Sequence, residues 1–289
     1  MGLNVALIKQ LRERTGAGMV DCKKALEENN GDIELACDWL REKGIAKAAK
    51  KASRIAAEGM SLVTVNGDDA VIVEVNSETD FVAKSDAFKA LVKTAADMIL
   101  AAKPATLEDA KALTNELFTE ATVKIGEKLD LRRFELVHKD ASQSFGNYIH
   151  MGGKIAVLTL LDGDHKEDAD HLAMHIAANR PLYIYDKDIP QAEIDKETSV
   201  QMENAKNDEK LASKPANVLA NIIKGKVTKH FAEFVLVEQE YLLNPEIKVG
   251  QFLKDNKLNI VKFVRFETGE GLAKREENFA EEVQKQMAQ

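Results

Sequence analysis

The chain has 289 residues, 45% hydrophobic and 30% charged, the composition of an ordinary folded protein with room for more than one domain. Its longest apolar runs, Val71 to Val75 and Ile155 to Leu161, are too short to span a bilayer, and the N-terminus carries no signal-peptide core, so a cytoplasmic address is expected and no membrane role. The net charge of −8 argues against generic nucleic-acid binding, which needs clustered cations.

Three short helices are predicted at the start. Asn4 caps the first, which carries Val5, Ile8 and Leu11; the second carries Met19, Cys22 and Leu26; Asp32 caps the third, which buries Ile33, Ala36, Cys37 and Leu40. Gly31 and Gly44 stand where helix ends favour a residue tolerant of left-handed geometry. Helices this short persist only when packed together, so residues 1–55 read as a three-helix domain plus linker. Within it, Thr15-Gly16-Ala17-Gly18 makes a tight link and leaves Met19 and Val20 consecutive. A helix cannot aim both at one face, so one is expected at the surface, serving either a partner or a loop-capping contact. The module holds 11 Lys or Arg against 8 Asp or Glu, a basic piece of an acidic chain. Its run Arg41, Lys43, Lys47, Lys50, Lys51 and Arg54 is either a solvated helix face or a surface for RNA or an acidic protein.

Residues 56–140 form a first core half. Asn66-Gly67 between Leu62-Val63-Thr64-Val65 and Ala70 to Val75 is a two-residue hairpin signal. The chain then leaves the sheet through Asn76-Ser77-Glu78-Thr79-Asp80-Phe81-Val82-Ala83-Lys84. Thr79 and Asp80 are turn or helix-start residues, whereas Phe81 prefers an apolar environment. A helix from about Ser85 to Ala102 follows, with Phe88, Leu91, Val92, Ala95, Met98 and Ile99 on one face. Phe81, seven residues before Phe88, either extends that stripe into the local core or fills a pocket on a partner.

Residues 141–185 and 229–267 form a second half. Its strand, Lys154 to Leu161, and its helix, about Glu167 to Ala178, echo the first half, giving two related α+β halves. The turn after that strand, Asp162-Gly163-Asp164-His165, has no aromatic, so the repeated fold does not demand one and a special task for Phe81 is favoured. Residues 186–228 carry a narrow apolar seam, Ile194, Met202 and Ala205, then Val218, Leu219, Ile222 and Ile223. This predicts an inserted antiparallel helical hairpin, or coiled coil, with Pro215 opening the returning helix. Phe231 to Leu243 and Asn259 to Phe266 are expected as strands, and residues 268–289, with Phe279 and Val283, as a C-terminal helical module.

Chemical motifs are sparse. Gly16-Ala17-Gly18 lacks the third glycine of a dinucleotide fingerprint, and Gly152-Gly153-Lys154 has Tyr148 and Ile155 where a phosphate loop needs Gly and Ser or Thr, so no direct nucleotide binding is expected. His171 and His175 are four apart but lack a third ligand; Asp162, Asp164 and Asp168 fit a calcium loop poorly; Cys22 and Cys37 lack CxxC spacing. No metal, no cofactor and no catalytic residue are assigned, and the chain is expected not to be an enzyme, although a triad dispersed across the fold stays open as a hydrolase reading.

Thr79-Asp80-Phe81-Val82 resembles the signature of bacterial elongation factor Ts, and Arg12-Glu13-Arg14-Thr15-Gly16-Ala17-Gly18-Met19 with Asp21-Cys22-Lys23-Lys24-Ala25-Leu26 resembles that family's opening. The likeness continues through Lys124-Ile125-Gly126-Glu127, Tyr148-Ile149-His150, His171 to Ala178, and Phe263-Val264-Arg265-Phe266-Glu267 with Gly269-Glu270-Gly271. The resemblance implies a guanine-nucleotide exchange factor that binds elongation factor Tu and speeds GDP release by inserting an Asp-Phe pair that disturbs the partner's Mg²⁺ site. It implies that role for Asp80 and Phe81, with Thr79 and Val82 shaping the turn. It also implies a ubiquitin-associated-like N-terminal domain with partner contacts at Arg12, Met19 and Val20, and a further contact at His150. After His150 the segment Met151-Gly152-Gly153-Lys154-Ile155 departs from the family's glycine and arginine pattern. A ribosome- or RNA-associated protein using the Arg41 to Arg54 run is the alternative.

Overall fold

The structure, a computed structural model, describes residues 5–273 apart from 16, 18, 209, 210 and 212, and gives only the backbone at 45–50. Asn4, Gly16, Gly18 and the C-terminal helix expected around Phe279 and Val283 therefore lie outside the described residues. The chain mixes helices with small sheets and divides into two compact units: Met1–His138 with Ile149–Ala156 and Phe266–Gln289, and Lys139–Tyr148 with Val157–Arg265.

The first unit opens on three helices, α1 (Val5–Thr15), α2 (Met19–Glu28) and α3 (Ile33–Lys51). Leu11, Cys22, Ala25, Leu26 and Ala36 form their core, with Ile8, Ile33 and Leu40 packed on it. Gly31 ends α2 at φ +83°, its N–H donating to the Leu26 carbonyl at 2.8 Å, as a helix-terminating glycine should. Gly44 corrects its expected role. It lies inside α3, where an added Cβ would stand 2.9 Å from Val123 Cγ2. Its smallness serves close helix packing.

Next come β1 (Glu58–Asn66) and β2 (Asp69–Ser77), then α4 (Asp80–Lys84), α5 (Asp86–Ala102), α6 (Leu107–Ile125) and β3 (Asp130–His138). The three strands pair antiparallel in the order β1-β2-β3, and the first hairpin closes around Gly67 at φ +60°. Alternation along β2 sends Val71, Val73 and Val75 to one face, where they pack in one cluster with Phe88, Leu91, Val92, Ala96 and Ile99 of α5. The α5 stripe is thus the predicted one, started by Ser85, whose side chain accepts from Phe88 N–H. On the opposite face of β2, Glu74 is fully buried and held by Arg132 and Arg133 of β3 and by the Gly269 N–H.

The second unit contains most of β4 (Gln143–His150), β5 (Ile155–Asp162) and β8 (Ile260–Glu267), whose residues 149–150, 155–156 and 266–267 belong to the first unit, together with α7 (Lys166–Asn179), α8 (Gln191–Lys206), α9 (Ala216–Ala232), β6 (Glu240–Tyr241), β7 (Asn244–Lys248) and α10 (Val249–Asp255). Its main sheet has the order β4-β5-β8, and β6 and β7 form a small antiparallel pair. Helices α8 and α9 pack on a seam of Ala205, Ile223, Val227 and Phe231, flanked by Ile194 and Leu219. Phe231 to Leu243 is not the expected strand. Ile223, Val227 and Phe231 recur every four residues, so the segment opens as the last turn of α9, passes through a short 3₁₀ turn at Leu236–Glu238, and gives only two strand residues, Glu240–Tyr241.

Candidate functional site

The segment leaving β2 becomes a five-residue helix, α4, because Thr79 is in extended geometry and its side chain accepts from Val82 N–H at 3.3 Å, the usual N-cap bond. Ser85 ends it, N–H to the Val82 carbonyl at 3.0 Å and Oγ to the same oxygen at 2.7 Å. One helical turn turns successive side chains by about 100°. Val82 and Ala83 point into the core cluster of β1, β2 and α5, so Phe81 is turned away from it. The ring is 85% exposed, more than any other large hydrophobic among the described residues, and Phe88, not Phe81, fills the core. Leaving such a ring in water forgoes about 1.5–3 kcal/mol.

Asp80 sits beside the ring, also exposed, its carboxylate 2.5 Å from Lys84 Nζ. That hydrogen bond and the positive charge of Lys84 hold the Asp80 carboxyl below the usual carboxylate range. The base of the turn is bound from the far end of α6. Gly126 ends α6 at φ +87°, and the next residue, Glu127, accepts from Glu78 N–H and Thr79 N–H, both at 3.0 Å, and from Thr79 Oγ1 at 2.6 Å. Glu78 in turn accepts from Lys128 N–H at 2.6 Å and from Arg54 Nη1 at 3.2 Å. Glu127 was in a recognised stretch of sequence, but nothing in its spacing shows which loop it serves. An acid just after a helix-ending glycine is the only signal.

The other predicted contact residues stand on separate elements. Arg12 is exposed on α1. Met19 and Val20 are both exposed, at 59% and 81%, where one was expected; Ala17 in the preceding link is buried instead. His150 is exposed at the end of β4. The turn after it is drawn against β1: Ser61 N–H donates to the Gly153 carbonyl at 2.7 Å, and Gly153, at φ +99°, has Met60 Cβ 2.8 Å from where its own Cβ would be. The first residues of β1 pair with the last of β2, Glu58 opposite Ser77, so this turn and the Thr79–Val82 turn sit at one end of the same strand pair.

The basic run is largely engaged within the first unit. Arg41 pairs with Glu116, Lys51 donates to the Gly126 carbonyl, Arg54 meets Glu78, and Lys43 lies 5.3 Å from the Trp39 ring centre. The side chains of Lys47 and Lys50 lie outside the described residues. His175, half of the weighed metal pair, is fully buried with Nε2 2.9 Å from Gln239 Oε1 and Nδ1 accepting from Leu242 N–H at 3.1 Å, so both ring nitrogens are occupied. Among the described residues there is no cluster of metal-ligating side chains and no helix long and apolar enough to cross a membrane.

A mixed α+β chain that holds an aromatic and an acid in solvent on a braced turn falls within the class of translation elongation factors, as comparison with known families establishes. The family model described as elongation factor TS matches residues 78–270, well over half the chain, and the chain belongs to the elongation factor Ts family. Partnership with elongation factor Tu and nucleotide exchange follow from that family.

Proposed function

We propose that the Thr79–Val82 turn is the exchange element: docked on elongation factor Tu bound to GDP, it inserts Asp80 and Phe81 beside the nucleotide site and displaces groups that hold Mg²⁺ there. The cation offsets phosphate charge, so disturbing it loosens GDP and leaves a nucleotide-free complex able to load GTP. The chain acts as a binding protein rather than an enzyme, in the cytoplasm, without taking up nucleotide or metal itself. The single observation that carries this reading is the exposure of Phe81 on a turn whose neighbours Val82 and Ala83 are anchored in the core.

Magnitude requires more than the ring. Burying a Phe stabilises a complex by about 1.5–3 kcal/mol, whereas weakening a ligand ~10⁴-fold needs about 5.5 kcal/mol of differential binding. A wider interface supplies the rest, and Arg12, Met19 and Val20 in the 1–55 domain, with His150 at the end of β4, are its contacts. By reciprocity GDP weakens this protein's hold on its partner by the same factor. Release of labelled GDP from elongation factor Tu tests the reading: Phe81→Ala and Asp80→Ala slow it, the latter in a Mg²⁺-dependent way. Unchanged rates in both variants reject it.

A further inference from the structure

We propose that Glu127 is the positioning residue of the exchange turn, the group that fixes where Asp80 and Phe81 stand before any partner arrives; the proposal rests on the reading of that turn given above. A wedge works only if its tip cannot retreat, and α4 has five residues, too few to hold itself. Its free N-terminal N–H groups and the approach from β2 need acceptors. Thr79 Oγ1 takes the Val82 N–H of the helix, and one carboxylate holds the approach and the cap itself: Glu127 Oε2 takes the N–H groups of Glu78 and Thr79, and Oε1 takes the Thr79 hydroxyl.

The bond is returned. Glu78 accepts from the N–H of Lys128, the residue after Glu127, so the two segments exchange carboxylate-to-backbone bonds in both directions. Two adjacent carboxylates would repel, and cations offset them: Arg54 Nη1 lies 3.2 Å from Glu78, and Lys128 Nζ donates to the Arg54 carbonyl at 3.0 Å. Glu127 itself is placed by the left-handed Gly126, whose N–H closes α6 on the Thr122 carbonyl and whose own carbonyl accepts from Lys51 of α3. The end of α6 is thus a socket, with Glu127 as its floor, and charge-assisted bonds of this kind are the short, directional ones.

The test uses the full chain. In Glu127→Ala the Glu78 and Thr79 amides exchange with solvent at least about tenfold faster in the free protein as the local structure opens. The maximal rate of GDP release from elongation factor Tu falls about tenfold to a hundredfold, the cost of a small misplacement, while the half-saturating concentration moves less. Glu127→Gln keeps an oxygen acceptor and retains part of both properties; should Glu127→Ala fail to fold, the same two readouts on Glu127→Gln decide. Unchanged amide protection overturns the proposal. So does faster amide exchange with an unaltered maximal rate when Phe81→Ala, run alongside, slows release. If Phe81→Ala leaves release untouched, the exchange role of the turn falls on its own, and the amide data still decide whether Glu127 holds it.

Discussion

Arg133 reaches across the β2–β3 pair to Glu74, Nε 2.5 Å from Oε2, and meets a carboxylate with no exposed surface. Burial pushes that carboxyl up, but the Gly269 N–H, the Arg132 hydrogen bond and the charge of Arg133 together hold it below its ordinary value. Arg133 also lies over the Phe266 ring, 4.2 Å from its centre, so one guanidinium serves both a charge and an aromatic face.

Glu74→Ala strands two arginines whose side chains are only 22% and 31% exposed, and it is expected to cost about 3 kcal/mol in urea unfolding, the usual penalty for breaking a buried pair. The depressed folded value also fixes a sign. Stability from Glu74 is complete above its unfolded value of about 4.3 and is lost as pH falls through the lower folded value. Acid unfolding of Glu74→Gln should therefore show a shallower fall in that range than the parent chain.

His175 gives the opposite window. Because Nδ1 accepts from Leu242 N–H, the proton sits on Nε2 and is donated to Gln239 Oε1, so the ring is neutral. Burial lowers its value and the Gln239 bond opposes this only partly. Stability is then full above the unfolded value of about 6.5 and declines as pH falls towards the folded value, because the unfolded chain takes the proton first. Thermal melting should drop between pH 7.5 and 5.5, and the drop should shrink in His175→Gln.

Phe81 and Phe88 are a matched pair for unfolding experiments. Phe88→Ala empties a fully buried site and should cost about 3–5 kcal/mol. Phe81→Ala removes a ring that the core does not use, so its unfolding midpoint should stay within about 0.5 kcal/mol of the parent. A large loss for Phe81→Ala would mean that the ring is used internally.

Gly44 separates two reasons for a glycine. If it serves close packing of α3 on α6, Gly44→Ala should be near neutral, the crowding at Val123 Cγ2 offset by about 1 kcal/mol of helix propensity. Gly44→Leu should then lose about 1–3 kcal/mol because the β-branched Val123 cannot turn aside. Equal melting of the two variants would reject the packing role.

Much of this was legible along the chain wherever the cause is local. The α5 face from Phe88 to Ile99 and the turn at Gly67 follow from spacing alone, whereas the α8–α9 seam keeps Ile194, Ala205, Leu219 and Ile223 of the expected set but leaves Met202 and Val218 exposed and adds Val227 and Phe231. What was hidden depends on residues far apart. Gly44 looked like a helix end because Val123, far along the chain, is what it makes room for. Phe231 looked like a strand residue because Val and Phe suit strands, yet it continues a four-residue helical repeat into the hairpin seam. For the site, Thr79 to Val82 were marked by motif, but periodicity left Phe81 poised between core and surface, since seven residues before Phe88 suits either. Its outward placement follows from Val82 and Ala83 taking the inward positions. Glu127 could not be paired with Thr79 until β2 and α6 were known to end side by side.

Ser85 closes α4 with one set of bonds and opens α5 with another, so no flexible residue separates the two helices. A load on the aromatic tip therefore runs straight into a seventeen-residue strut bedded on the sheet. The exposed ring is thus one short helix away from the core, with no loose joint between them.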